Sequence, residues 1–438
     1  MVTIDKRLIR RVGEAERPPA VVLGTNITGL ALARSLVKHG VPVIGIDFRK
    51  RRYTSYSGCF HLLLVEPGEF FGEGLIGVLE RLADALPNRA ALMLAMDEQV
   101  KLLGAHGQGL KDLYHFEFPS GDTVHLLMDK EAFHRIAVER GWPVPLTMGA
   151  ESLEELTRQI DSLRFPVVLK PRTKNLEFRA HSPAKAFRCS GPEELKSRYE
   201  MVAQWEPEVI VQEWIPGGDD QVYFSFHYFD SELVEVASYQ GKKIRQYKPQ
   251  VGNTSSAVGV QANQLADTAR EILTTSGCSG FCSVEFKRDE RTGNFYVTEP
   301  TVGRVNLQVG VAVANGMDII SRAYFHLVGL EYPKEPEPTY DRKWILLWSD
   351  IKSARYYINK SEYTWRQYLQ SLRGPKSFAV WRVSDYKMML GFCRVWFVKP
   401  FQRLRRLTQR FAAVLNGRAV AAGSASRVLE GDDSDVEV

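Results

Sequence analysis

Residues 281–304 read FCSVEFKRDERTGNFYVTEPTVGR. Two apolar-rich runs, FCSVEFKRD and NFYVTEP, flank Arg291-Thr292-Gly293, and a short polar turn with a glycine between two such runs predicts a β-hairpin. Glu285 stands on the first strand and Glu299 ends the second. Carboxylates on neighbouring strands repel unless a cation joins them. Mg2+ takes oxygen ligands, commonly one or two carboxylates together with substrate phosphates. Read alone, the pair is better taken as solvated edge-strand acids, so the decision rests on what else converges on the hairpin.

Working outward, Lys170 ends the apolar run FPVVLKP at 165–171, which places an ammonium at a strand edge, suited to a phosphate. Lys130 begins a helix predicted over 129–140, closed by Gly141 and Pro143. VIVQEWIPGGDD at 209–220 is a buried strand that continues into a polar loop. Such a segment offers backbone N–H and C=O groups to an adenine edge, and Asp219 or Asp220 to a ribose. Each feature has a plainer reading when taken singly: two surface lysines, and a core strand followed by its turn.

Taken together and in this order, Lys130, Lys170, Glu213-Trp214-Ile215, Asp219/Asp220, Glu285, Glu299 and Arg304 resemble an ATP-grasp enzyme over about residues 18–330. Within that superfamily the chain is most similar to carboxylate–amine ligases related to D-aspartate ligase. The resemblance implies an α/β protein with an N-terminal pre-ATP-grasp (Rossmann-like) domain, a two-subdomain α+β ATP-grasp fold and a small C-terminal module. Carried over by position, Lys130 and Lys170 hold the α- and β-phosphates of ATP. Glu213 meets the adenine amine, with the backbone of Trp214 and Ile215 completing its recognition. Glu285 and Glu299 bind Mg2+, with Mn2+ as its alternative. Arg304 holds the substrate carboxylate or the developing oxyanion. Arg245 and Lys248 lie in the polar segment KKIRQYKPQVGNTSS at 242–256, expected to be a loop that closes on the acceptor side. The implied reaction joins a small-molecule carboxylate and an amine through an acyl phosphate, in a class often associated with cell-surface polysaccharide or envelope metabolism.

Two departures from the family pattern stand out. The residue two after the second acid is usually Asn but is Thr301 here, so the third metal ligand is either Thr301 or Asn306. The usual glycine-rich phosphate flap is replaced by RTKNLEFRAHSPAKAF at 172–187, without a glycine. There Lys174, Arg179, His181, Ser182 and Lys185 either grip phosphate by side chain or form a basic exposed hairpin. These departures keep two alternatives open: a nucleotide-binding regulatory or scaffold protein without turnover, and a phosphotransferase that stops at the phosphorylated product.

The N-terminal domain raises a separate question. VVLGTNITGL at 21–30 is a strand, a glycine turn and a helix start, and VPVIGID at 41–47 ends on an acid, as in dinucleotide-binding units. Asn26 stands where the pattern needs its second glycine, so the expectation is a scaffold in which Asp47 holds no ribose. Strands are predicted at 20–24, 42–47, 61–65 and 91–95.

The 438 residues are 44% hydrophobic and 25% charged, enough for two or three domains. Net charge is +5, from 57 basic and 52 acidic residues, too mild to argue for nucleic acid without a local patch. The five cysteines make no disulfide framework, and Cys278 and Cys282 read as buried thiols. With no apolar run approaching a membrane span, the expected location is cytoplasmic. The expected divisions are a flexible leader (1–17), the pre-ATP-grasp domain (18–112), the ATP-grasp domain (113–332), a linker (333–340), the C-terminal module (341–416) and a disordered acidic tail (417–438). After Pro400, Phe401, Leu404, Leu407, Phe411 and Leu415 recur at three- and four-residue steps, beside Arg403, Arg405, Arg406 and Arg410. That pattern fits a basic amphipathic helix docked either on the protein itself or peripherally on the inner face of a membrane. Oligomeric state is not legible.

Overall fold

The computed structural model describes residues 4–49, 52–172, 186–250 and 252–393. The chain divides into two compact units, one of residues 1–124, 225–283 and 302–438, the other of residues 125–224 and 284–301.

The first unit opens with four strands, β1 (Ala20–Leu23), β2 (Val43–Asp47), β3 (His61–Leu64) and β4 (Ala91–Leu94), in the order β3-β2-β1-β4. All their pairings are parallel, and β1, β2 and β4 are buried along their whole length, which is why they read as continuous apolar runs. Asn26 caps the helix Ile27–Lys38, its Oδ1 accepting the Gly29 N–H at 2.9 Å. A Cβ on Gly29 would lie 1.9 Å from the Gly24 carbonyl, so glycine there is a packing requirement. Asp47 is fully buried. Its Oδ2 accepts from the N–H and hydroxyl of Thr25 at 2.8 and 2.7 Å, and its Oδ1 accepts from the N–H groups of Phe48 and Arg49 at 2.8 and 3.0 Å. A carboxylate with four internal donors has its acceptor sites filled and no surface to offer a ribose. Asp47 is a tie for this turn. Part of the leader expected to be flexible is a helix, Lys6–Gly13, because Leu8 and Val12, four residues apart, are both buried.

In the second unit β5 (Thr147–Ala150), β6 (Val167–Pro171), β7 (Phe187–Cys189) and β8 (Val209–Glu213) form an antiparallel sheet in the order β5-β8-β6-β7. Ala150, Val167, Leu169, Val209 and Val211 pack on Leu156, Leu195, Tyr199 and Val202 of the helices Leu153–Gln159 and Pro192–Ala203. Strand alternation therefore sends Lys170, Ile210 and Gln212 to the opposite face.

The third sheet has seven strands: β9 (Val222–Phe229), β10 (Glu235–Tyr247), β11 (Asn253–Gly259), β12 (Gly280–Arg288), β13 (Phe295–Val302), β14 (Lys343–Ile345) and β15 (Lys376–Phe378), ordered β13-β12-β9-β10-β11-β14-β15. The predicted 281–299 hairpin is β12 and β13. The segment 242–256, expected as a loop, is mostly strand: β10 runs to Tyr247 and β11 starts at Asn253. The C-terminal region does not stand apart either. Its β14 pairs with β11, Ser256 opposite Ile345, and β15 pairs with β14. Cys278 and Cys282 are buried free thiols, as expected. Residues Lys174, Arg179, His181, Ser182 and Lys185, the 401–415 pattern and the acidic tail lie outside the described residues. Among the described residues no helix is long and apolar enough to cross a membrane.

Within the first unit, Ser225, His227 and Glu235 form a line: Ser225 Oγ meets His227 Nε2 at 2.7 Å and His227 Nδ1 meets Glu235 Oε1 at 2.6 Å. The sequence shows no persuasive arrangement of this kind. Here Ser225 is wholly buried and His227 is 1% exposed, so no substrate reaches the hydroxyl and the line is structural. Burial holds the His227 pKa below 6.5 against the raising effect of Glu235. Burial also opposes charge on Glu235, but hydrogen bonds from His227, Arg270 and Ser238 outweigh it and bring that carboxyl to about 2. Both groups bind more protons unfolded than folded. Stability is therefore full above about pH 6.5, falls as pH drops below the unfolded histidine value, and falls further from about 4.5 toward 2. Denaturant titrations at a series of pH values should show this slope, with the His227 ring titrating below pH 6.5 by NMR. A ring that titrates above that value would contradict the assignment.

Candidate active site

Lys130 is the first residue of the helix Lys130–Glu139, and Asp129 fixes that start by accepting the N–H groups of Glu131 and Ala132 at 3.0 and 2.8 Å. Lys130, Phe133 and His134, at helical spacings of three and four, line one cleft. Its floor is the free face of the second unit's sheet, with Thr147, Lys170, Ile210 and Gln212. Its far wall is β13, with Val297, Thr298, Glu299 and Pro300. The structure thus brings together Lys130, Lys170 and Glu299, three residues far apart in sequence. Lys130 Nζ lies 4.0 Å from Glu299 Oε1, and each side chain is more than half exposed, at 55% and 61%. A water-screened pair of that kind contributes about 0–1 kcal/mol, so both groups can turn to a phosphate or a cation at little cost.

Lys170 is held by a residue the motif reading passed over. Its Nζ donates to Gln212 Oε1 at 3.0 Å, and Gln212 Nε2 donates to Thr147 Oγ1 at 2.9 Å. Gln212 and Thr147 are direct cross-strand partners. Glu213, one residue on, has the parity of the core face and accepts the Arg164 N–H at 3.2 Å. Gln212, and not Glu213, is the polar side chain that lines the cleft. The alternation of Lys170 and its neighbours was the signal that could have shown it. Trp214 N–H is used by the Pro166 carbonyl at 3.0 Å, and the Trp214 ring lies 5.3 Å from the Arg188 guanidinium. Ile215 is buried.

His134 is a second residue missed, although its spacing from Lys130 places it on the same helix face. Burial lowers its pKa below the ordinary histidine value, and the Pro145 carbonyl, 3.2 Å from Nε2, partly opposes this. Beside the cleft, a groove lined by His134, Thr147 and Ile210 also contains Arg172, clamped by Glu131, Glu151 and Glu208. Asp219 is buried in a short 3₁₀ turn, whereas Asp220 is exposed. Lys287 fixes the loop before them by donating to the carbonyls of Gly217 and Gly218 at 2.7 and 2.6 Å.

Glu285 is half-buried on β12, its carbonyl accepting the Thr298 hydroxyl at 3.1 Å, and Thr301 is half-buried on β13. Among the described residues no three His, Cys, Asp or Glu side chains gather as a metal group. Arg304, Asn306, Arg245 and Lys248 belong to the first unit. Arg304 grips Asp97 with both arms of its fork, at 2.6 and 2.9 Å, and Asn306 Oδ1 accepts the Ser283 hydroxyl at 2.6 Å. Arg245 is not a loop residue. Its guanidinium is buried in β10, bonded to both Asp350 oxygens at 2.8 and 2.7 Å and to Ser371 Oγ at 2.7 Å. Despite burial, those bonds raise its pKa further. A guanidinium so enclosed serves the fold, and this replaces its expected catalytic role. Lys248 is exposed.

No protein-family model matches the chain. Over 230 residues it is 24% identical to a D-aspartate ligase of Enterococcus faecium, covering 50% of this chain and 53% of the relative. Over 175 residues it is 27% identical to a D-alanine–D-alanine ligase of Alkalilimnicola ehrlichii, covering 36% and 51%. The chain thus spans about half the length of the curated relatives it matches. Among solved structures it is similar to a biotin carboxylase of Campylobacter jejuni in complex with β,γ-ATP, with a TM-score of 0.58 at 15% identity over 74% of each chain.

Proposed function

Given that the chain has the ATP-grasp fold, we propose that it is an ATP-dependent carboxylate–amine ligase. A carboxylate attacks the γ-phosphorus of ATP to give an acyl phosphate and ADP, and an amine then displaces phosphate to form the amide. The observation that carries this reading is the convergence of Lys130, Lys170 and Glu299 on one cleft. Two ammonium groups neutralise a polyphosphate, and Leu127, Phe133, Val144, Ile210 and Val297 supply an apolar wall for a flat base. Adenine recognition falls to Gln212 and the Ile215 backbone, and the ribose to exposed Asp220.

The carboxylates Glu285 and Glu299 are hard oxygen donors that suit Mg2+, with the Thr301 hydroxyl as the third protein ligand. With no three such side chains gathered among the described residues, the remaining positions fall to phosphate and water oxygens, the usual manner of Mg2+ binding. When bound, the ion would neutralise charge on the transferred phosphoryl group. Arg304 is proposed to hold the substrate carboxylate in the bidentate geometry it now gives Asp97, which that carboxylate would displace. Lys248 remains the proposed acceptor-side cation.

The test is ADP release by the purified protein with amino acids, sugar acids and amino sugars supplied singly and in pairs. A ligase requires carboxylate and amine together. ADP with carboxylate alone marks a phosphotransferase, and ATP binding without ADP under any pairing marks a regulatory protein. Lys170→Ala is expected to weaken ATP binding by about 1.5–3 kcal/mol, roughly ten- to a hundred-fold in Kd by calorimetry. An unchanged Kd would remove Lys170 from the phosphate site.

A further inference from the structure

Hydrogen bonds cross the floor of the cleft in one line. Lys170 Nζ donates to Gln212 Oε1 at 3.0 Å, Gln212 Nε2 donates to Thr147 Oγ1 at 2.9 Å, and Thr147 Oγ1 donates to the Pro145 carbonyl at 3.0 Å. His134 Nε2 meets the same carbonyl at 3.2 Å. Strand register sets the line up. Thr147 and Gln212 stand opposite each other on β5 and β8, and Lys170 on β6 is two residues beyond Val168, the direct partner of Gln212 there, so its long side chain reaches Gln212 diagonally. All five residues line the cleft.

The line has a direction, and its two ends impose it. An ammonium only donates, so the Gln212 atom that faces Lys170 is the amide oxygen. A carbonyl only accepts, so the single Thr147 hydroxyl proton goes to Pro145, and the Thr147 oxygen is left to accept from the Gln212 nitrogen. Turning the amide over would set its NH2 group against an ammonium and its oxygen against a hydroxyl whose proton is spent. Gln212 therefore presents an acceptor to the cleft. Purines differ in this respect: adenine carries a donating amine where guanine carries an accepting oxygen. Once Lys170 turns to a phosphate, the Thr147 bond is what still fixes the amide. We infer that Thr147 is a positioning residue that sets nucleobase choice: it holds the Gln212 oxygen toward the base, so that the cleft takes an adenine nucleotide and rejects a guanine one. The inference rests on the reading of this cleft as the ATP site and deepens it, since it names a residue outside the motif order that selects the nucleotide through another side chain.

Calorimetric binding of ATP and of GTP to the full chain decides it, read as the ratio of the two Kd values. The parent should bind ATP at least about a hundredfold more tightly, because a base that leaves the site's hydrogen-bonding group unpaired is strongly rejected. Thr147→Val keeps the side-chain shape and removes the hydroxyl, and should lower that ratio at least about tenfold. Thr147→Ser retains the hydroxyl and should keep the parent ratio. Gln212→Glu added to Thr147→Val should return the ratio to the parent's, because a carboxylate accepts at both oxygens and has no orientation to hold. In the parent itself the Gln212 amide protons should show a nuclear Overhauser contact to the Thr147 side chain, a measurement that needs no variant. The inference is overturned, with the ATP site left in place, by a parent that binds both nucleotides equally, by a ratio that Thr147→Val leaves unchanged, by a Thr147→Ser ratio as low as the valine variant's, by a double variant that stays at the valine ratio, or by absence of the Overhauser contact. A parent that binds neither nucleotide removes the ATP site and the inference together. A chain that shows the expected ratios without releasing ADP counts against the ligase reading alone.

Discussion

Glu299→Gln is expected to lower ATP-dependent turnover by about 10²–10³-fold while leaving the fold and its stability unchanged. The two halves of this expectation have separate causes. Glu299 lies on a strand in the wall of the cleft and is 61% exposed, and among the described residues its ion pair is a screened 4.0 Å approach to Lys130. Removing the charge therefore costs the folded state within about 0.5 kcal/mol. In the proposed reaction the same carboxylate neutralises charge around the transferred phosphoryl group, where a preorganised group contributes most. Glutamine preserves the shape and removes the charge. The measurement is ADP release at saturating Mg2+ alongside thermal unfolding. Near-parent turnover would remove Glu299 from the proposed metal site, and a lowered Tm would mean the residue serves packing instead.

The second large effect lies in the fold. Asp350→Ala should cost about 3–5 kcal/mol of stability. That is a major share of the about 5–15 kcal/mol that typically holds a protein together. Asp350 is fully buried and accepts from Arg245 Nε and Nη2 at 2.8 and 2.7 Å and from the Ser256 hydroxyl at 2.6 Å. Truncating it strands a guanidinium that cannot lose its charge in a dry interior. Removing both ions, as in Arg245→Met with Asp350→Leu, should recover most of the loss, because no unpaired charge remains. Urea titrations of the single and double variants measure this directly. A loss under about 1 kcal/mol in Asp350→Ala would show that the pair is not the anchor described.

How much of this was legible follows from where each signal resides. The parallel strands of the first domain, the 281–299 hairpin and the helix beginning at Lys130 are local: apolar periodicity, glycine turns and a capping acid lie within a few residues of what they determine. The convergence of Lys130, Lys170 and Glu299 was legible only through the order of motifs, and the cleft geometry then brought them together. Gln212 was hidden beside Glu213 because a one-residue step along a strand reverses the face, and a motif read as a string does not state which parity meets the core.

What the sequence by itself determined was the fold class and the three charged residues of the cleft, Lys130, Lys170 and Glu299, since periodicity and motif order are written locally. The tertiary structure decided which polar residues are free for chemistry and which are spent on the fold. Arg245 reads as a loop cation until Asp350, 105 residues away, closes on it. Asp47, expected from Asn26 to hold no ribose, has its oxygens taken by Thr25 and two backbone N–H groups. In each case the side chain's chemistry is the same in either role. Only the partner brought by distant chain, and the burial that makes leaving it unpaired costly, assigns the role.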